Sequence, residues 1–175
     1  MIVIAPYDPA WAESFAAEAG RIREFFGVDV QRIEHVGSTS VPGLAAKPVI
    51  DIQVSVPSLE RREVHYQRLR ELGYTHFPLG DFDFVYPFFK LPATWPSTHH
   101  VHLCEGGSEQ ERDHLAFRDY LRRHPTVAAE YVALKLRLAA AHDGLTMESQ
   151  ESYSLAKTEF IRRVLRASVR EGLAR

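Results

Sequence analysis

Behind Asp8-Pro9, apolar residues recur at Trp11, Phe15, Ile22, Phe25 and Phe26, a helical spacing that predicts an amphipathic helix ending near Gly27. VQRIEHVG reads as a strand, broken by GSTSVPG, where Gly and Pro favour a turn. PVIDIQVSV then alternates: Val49, Asp51, Gln53 and Ser55 face one way, and Ile50, Ile52, Val54 and Val56 the other. A sheet built with this strand carries Asp51 and Gln53 side by side on a polar face. SLERREVHYQRLRELG predicts a helix from Ser58 to a stop at Gly73. YTHFP, FVYPFFKL and HHVHLCE are three further strand candidates, joined by the loops GDFD and PATWPST.

After Gly107 the period becomes helical. SEQERDHLAFRDYLRRHP, TVAAEYVALKLRLAAAHDG and TMESQESYSLAKTEFIRRVLRASVREGL are three helical stretches, punctuated at His124-Pro125 and Asp143-Gly144. Val127, Tyr131, Leu134 and Leu138 share one face, as do Tyr153, Ala156, Phe160, Val164 and Ser168. The expected architecture is one α+β unit: a mixed-sheet half over residues 1–106 with flanking helices, then a C-terminal helical bundle over 107–175.

Composition narrows the class. At 175 residues the chain can bury one proper core. A net charge of -2 argues against a surface built throughout for nucleic acid. Residues 155–175 are locally basic, with six Lys and Arg against two Glu, and most simply form a solvated helix face. One cysteine, Cys104, forms no internal disulfide and suits a reducing cytoplasm. No apolar run approaches the roughly 20 residues of a membrane span, and MIVIAPYDPAWAE does not read as a signal peptide.

The chemistry centres on residues 34–54, EHVGSTSVPGLAAKPVIDIQV. A turn at Gly37-Ser38 lets backbone N–H groups and a hydroxyl approach phosphate oxygens closely. Carboxylates two apart on a strand share a face and can share divalent metals, which stabilise an in-line displacement. Ser38 and Asp51 are separated by twelve residues, a spacing that resembles the Gly-Ser…Asp-x-Asp signature of the nucleotidyltransferase superfamily. HVGSTSVPGLAAKPVIDI, with HHVHL, FRDYLRRHP, Tyr131-x-x-Leu134-Lys135 and Tyr153…Lys157…Phe160-Ile161, more specifically resembles the GrpB family over about residues 5–165.

That resemblance implies a nucleotidyltransferase-like fold and transfer of a nucleotidyl group from an NTP to some acceptor, with Asp51 and Ser38 as the catalytic residues. The alternative is a non-catalytic module that binds a nucleotide or phosphorylated metabolite. Because related domains occur fused to dephospho-CoA kinase, it also implies a link to coenzyme A metabolism. Gly37, Ser38 and Thr39, with Lys47 and Lys157, are the candidate phosphate ligands. The candidate metal ligands are Asp51, Gln53, His100 and His102, for Mg²⁺ or Mn²⁺, or for Zn²⁺ if the histidines coordinate. Gln53 departs from the superfamily's second acid and brings no charge. The plainer readings are an Asp51 paired with Lys47, strand histidines satisfied by hydrogen bonds, and a His35 that orients the turn. Asp81 and Asp83 read as turn residues, and Phe82, Phe84, Tyr86, Phe88 and Phe89 as core or cleft wall.

Overall fold

A computed structural model describes residues 2–94 and 96–173, with only the backbone of Met147. Trp95, inside PATWPST, and Arg175, one of the basic C-terminal residues, lie outside the described residues. Five strands form one mixed sheet: β1 (Arg32–Val36), β2 (Ile50–Val56), β3 (Thr75–His76), β4 (Phe88–Leu91) and β5 (His99–Glu105), in spatial order β1-β2-β5-β4-β3. β2 runs antiparallel to β1 and parallel to β5, and β4 is antiparallel to both β5 and β3. The chain is thus α+β, a mixed sheet with flanking helices.

The two sheet faces differ as the alternation in β2 requires. On one face Ile33, Ile50, Ile52, Val54, Val56, Phe89, Val101 and Leu103 are buried against α1 (Ala10–Phe26) and α2 (Arg62–Glu71). Trp11, Ile22 and Phe26 come from α1, and Tyr66 and Leu69 from α2. The other face is polar, and register sets its rows. Val36, Asp51, His100 and Lys90 lie across from one another, then Glu34, Gln53, His102 and Phe88, then Arg32, Ser55 and Cys104.

The remaining helices, α3 (Glu109–Arg123), α4 (Pro125–Ala141), α5 (Met147–Leu155) and α6 (Thr158–Arg170), stand on the polar face side. α3 begins with Ser108 accepting from the Glu111 backbone N–H, while the Glu111 carboxylate reaches back to the Gly107 N–H at 2.6 Å. α4 starts with Pro125 in its first turn, where the missing donor costs nothing.

Three expectations shift. α2 begins at Arg62, not Ser58, because the Ser58 hydroxyl takes the Glu60 N–H and the Glu105 carboxylate takes that of Leu59. The last helical stretch is two helices, since the Lys157 N–H bonds to the Ser154 carbonyl three residues back and interrupts the α-helical ladder there. GDFD closes as a short 3₁₀ turn over Gly80–Phe84, with Asp83 accepting from His76 at 2.8 Å and from the Tyr66 hydroxyl at 3.3 Å. Among the described residues no helix is long and apolar enough to cross a membrane.

Candidate functional site

β1 delivers the chain into the turn at Gly37, whose φ of 68° is left-handed and favours glycine. A Cβ there would sit 2.4 Å from Asp51 Oδ2, so the glycine is also what allows the carboxylate to lie against the turn. Ser40 Oγ donates to the Gly37 carbonyl at 2.6 Å, and Thr39 Oγ1 donates to the Val49 carbonyl at 3.1 Å. His35 Nε2 then donates to Thr39 Oγ1 at 3.0 Å, with burial holding the imidazole neutral by lowering its pKa to about 4. His35 therefore orients the turn. The Thr39 side chain, expected among the phosphate ligands, is buried and spends its hydroxyl on the fold. From α3, Arg118 donates to the His35 carbonyl and Glu34, and Arg122 to the Ser40 carbonyl, bracketing the turn. Among the described residues no protein acceptor takes the N–H groups of Ser38 and Thr39.

Asp51 stands beside this turn with its side chain 27% exposed. Two imidazoles converge on one of its oxygens: His100 Nδ1 at 3.3 Å and His102 Nε2 at 3.2 Å from Oδ1. Burial alone would raise the carboxyl pKa, but the hydrogen bonds and charge of His100 and His102 outweigh it and hold Asp51 well below the usual carboxylate range. Burial in turn lowers the His100 pKa against the pull of Asp51. The far nitrogens, His100 Nε2 and His102 Nδ1, are buried with no partner. Tyr86 stacks on His102 at 5.1 Å, and His114, from α3, closes the group from above.

The opposite wall is cationic. A cleft of about 550 Å³ runs between the Asp51 row and helices α4 to α6. Lys47, Lys135 and Lys157 all line it. Lys135, on α4, is only 2% exposed. Its Nζ donates to the Ala45 carbonyl at 2.5 Å and lies 3.1 Å from Ser38 Oγ and 4.7 Å above the Tyr131 ring. Burial, then the charge of Lys157, lower its pKa to about 7. Lys157 sits 4.3 Å above the Tyr153 ring, and burial followed by repulsion from Lys47 lowers it to about 8. Burial also lowers Lys47, with Asp51 pulling the other way.

Lys135 appeared in the sequence only inside the Tyr131-x-x-Leu134-Lys135 match. The signal that marks it is positional: it sits one helical turn after Tyr131, the other buried residue of α4.

Gln53 does not join this group. It shares the face of Asp51, but α3 covers it completely, and its Nε2 reaches the Glu111 carbonyl at 3.4 Å while Oε1 has no partner. Beside it Ser55 Oγ donates to Glu111 Oε1 at 2.5 Å. The polar face is thus sealed at the Gln53–Ser55 end and open at the Asp51 end. The amide proposed as a metal ligand lies under a helix.

The architecture with its Gly-Ser turn and Asp51 strand is that of the nucleotidyltransferase-like fold. Cid1 poly(U) polymerase, solved in a form described as Mg 3'-dATP bound, matches with a TM-score of 0.52 at 15% identity over 80% of this chain and 44% of its own, a likeness of fold alone. The chain belongs to the GrpB family: the GrpB protein family model matches residues 1–167. GrpB from Enterococcus faecalis superposes with a TM-score of 0.82 at 34% identity, over 97% of this chain and 98% of that one. The protein YqkA of Bacillus subtilis is 38% identical over 92% of this chain, which spans only 45% of its length. A Mycolicibacterium paratuberculosis protein named dephospho-CoA kinase is 29% identical over 81% of this chain and 40% of its own length.

The fold's metal can be tested against the donors. Mg²⁺ favours charged oxygen ligands in near-octahedral geometry. Here Asp51 Oδ1 already accepts from two imidazoles, and the next position on the same face of its strand, Gln53, is a neutral amide beneath α3. Among the described residues no three His, Cys, Asp or Glu side chains are arranged to hold an ion. The residues as placed do not fit a Mg²⁺, Mn²⁺ or Zn²⁺ centre.

Proposed function

We propose that the cleft binds a nucleotide or related phosphorylated metabolite, and that its lysines do the charge neutralisation a divalent metal does elsewhere. The carrying observation is the set of three lysines, Lys47, Lys135 and Lys157, facing the Gly37–Thr39 turn across one cleft. Backbone N–H groups without protein acceptors and ammonium groups are complementary to phosphate oxygens, and hydrogen bonds with one charged partner are roughly twice as strong as neutral ones. Aromatic rings of Phe88, Phe117, Tyr131 and Tyr153 line the same space and suit the apolar part of such a ligand. Nucleotidyl transfer is the second reading, favoured by the ionised Asp51 carboxylate packed against the turn.

The test is calorimetry with ATP, ADP, pyrophosphate, dephospho-CoA and CoA, in EDTA and in Mg²⁺. Binding is expected in EDTA, weakened at least about tenfold by Lys157→Ala, the loss of one charge-assisted contact. Affinity that appears only with Mg²⁺, or that Lys157→Ala leaves unchanged, overturns the lysine reading. With labelled nucleotide and cell extract, transfer that Asp51→Asn abolishes while binding persists would establish the second reading.

A further inference from the structure

We infer that Ser38 and Lys135 form a nucleophile–base pair, through which a phosphoanhydride bound in the cleft transfers a phosphoryl-containing group onto the Ser38 hydroxyl. The inference rests on the binding reading above and adds a covalent step to it.

A buried lysine normally has a carboxylate partner, because an uncompensated ammonium is costly to desolvate. Lys135 is 2% exposed, and among the described residues no carboxylate lies within ion-pairing distance of it. What it faces instead is the Ala45 carbonyl and Ser38 Oγ from the turn and loop, the Tyr131 ring on its own helix, and the repelling charge of Lys157 from the α5–α6 junction. These surroundings favour an amine that gives up its proton readily, so Lys135 joins Lys47 and Lys157 as a phosphate cation only while protonated. Once neutral, its two N–H groups include one for the Ala45 carbonyl, and its single lone pair is free to accept the Ser38 proton. With the pKa lowered to about 7, roughly half the molecules hold that form at neutral pH.

Ser38 supplies the other half. It lines the cleft, and the N–H groups of Ser38 and Thr39, without protein acceptors, are placed by the Gly37 conformation in the turn that carries the hydroxyl. A serine is a weak nucleophile until an adjacent base takes its proton, and donors held at the reacting centre stabilise the charge that develops there. In the step, the Ser38 Oγ–P bond forms and the bridging P–O bond of the anhydride breaks. The Ser38 proton passes to Lys135 Nζ. The leaving group, ADP when a phosphoryl unit of ATP is transferred or pyrophosphate when an adenylyl unit is, departs as an oxyanion towards Lys47 and Lys157, and Lys135 releases its proton to solvent to reset.

Two measurements on the full chain test this. Incubation with ATP at pH 8, in EDTA and in Mg²⁺, followed by intact mass and peptide mapping, is expected to place one phosphoryl or adenylyl unit on Ser38. Ser38→Ala and Lys135→Met are expected to carry none. Independently of nucleotide binding, phenylmethanesulfonyl fluoride is expected to label Ser38 about tenfold faster at pH 8 than at pH 6, as the neutral fraction of a base of pKa about 7 requires. Lys135→Met, with its fold checked by circular dichroism, should lose that pH dependence and at least about tenfold in rate. ATP bound by calorimetry without adduct or label overturns the pair and leaves the binding reading intact. Label on Ser38 without ATP binding supports the pair and overturns both the phosphoanhydride and the binding reading.

Discussion

The two faces of the sheet solve burial in opposite ways. Beneath α1 and α2 every inward position of β2 is apolar, and Ile52, Val54 and Val56 are fully buried with nothing to satisfy. On the other face the same strand presents Asp51, Gln53 and Ser55, and three arrangements are needed to accommodate them. Ser55 is satisfied by Glu111, Gln53 only half so, and Asp51 is left at an open cleft under two histidines. Polar groups near the middle of a protein are expensive, so a chain that keeps them on one face and not the other concentrates its chemistry there.

The largest effect that separates the faces is expected on the apolar one. Ile52→Ala leaves a cavity in a fully buried layer and should cost about 4 kcal/mol, or roughly 10 °C in Tm, yet leave nucleotide affinity of the folded protein unchanged. Chemical denaturation and calorimetry check both halves, and altered affinity would mean that the faces are coupled.

Next comes Gln53→Asp. It would place a carboxylate under α3 beside Glu111, whose own ion pair is with the half-exposed Arg32 at 3.6 Å, and across from Glu34, which already engages Arg118. A loss of about 3 kcal/mol is expected, without any gain in Mg²⁺ affinity by calorimetry. Tighter Mg²⁺ binding would show that α3 yields and that the second acid position can still serve a metal.

The smallest effect has the opposite sign. Lys135 has its folded pKa lowered to about 7 from an ordinary 10.5, so the unfolded chain binds the proton more tightly. Its cost is therefore complete below pH 7 and is relieved as pH rises towards 10.5. Lys135→Met should stabilise the protein, and its advantage over the natural chain should shrink by about 2.7 kcal/mol between pH 6 and pH 9. Thermal melts of the two chains side by side read that difference. A gap that does not change with pH would mean the lysine keeps its proton throughout.

Much of this was legible beforehand, and the reasons are local. Period-two alternation in PVIDIQVSV set both faces of β2, and Asp8-Pro9 and Gly27 marked helix ends through their own backbone chemistry. What covers a face is a different matter. Alternation placed Gln53 beside Asp51, but only the path of α3, pinned through Glu111 to Ser55 and Gly107, decides that one is sealed and the other open. The role of the Thr39 hydroxyl was hidden for a related reason: a hydroxyl in a turn can serve a ligand or the turn itself, and the carbonyl of Val49, ten residues away, takes it, which leaves only the backbone N–H of Thr39 for a ligand. The break at Ala156-Lys157 left no Gly or Pro to announce it.

The arginines of α3 carry one more consequence, for anyone who would move this turn into another protein. Arg118 and Arg122 hold the segment from His35 to Ser40 through its carbonyl oxygens, which every residue type possesses. The turn's position is thus dictated by a helix more than seventy residues downstream, and not by the identity of the side chains being held. A graft of residues 34–54 alone would carry the motif and leave its brace behind. The smallest transferable unit that keeps the brace is the β1–turn–β2 hairpin together with α3, and α4 must come too if the Ala45 carbonyl is to stay on Lys135.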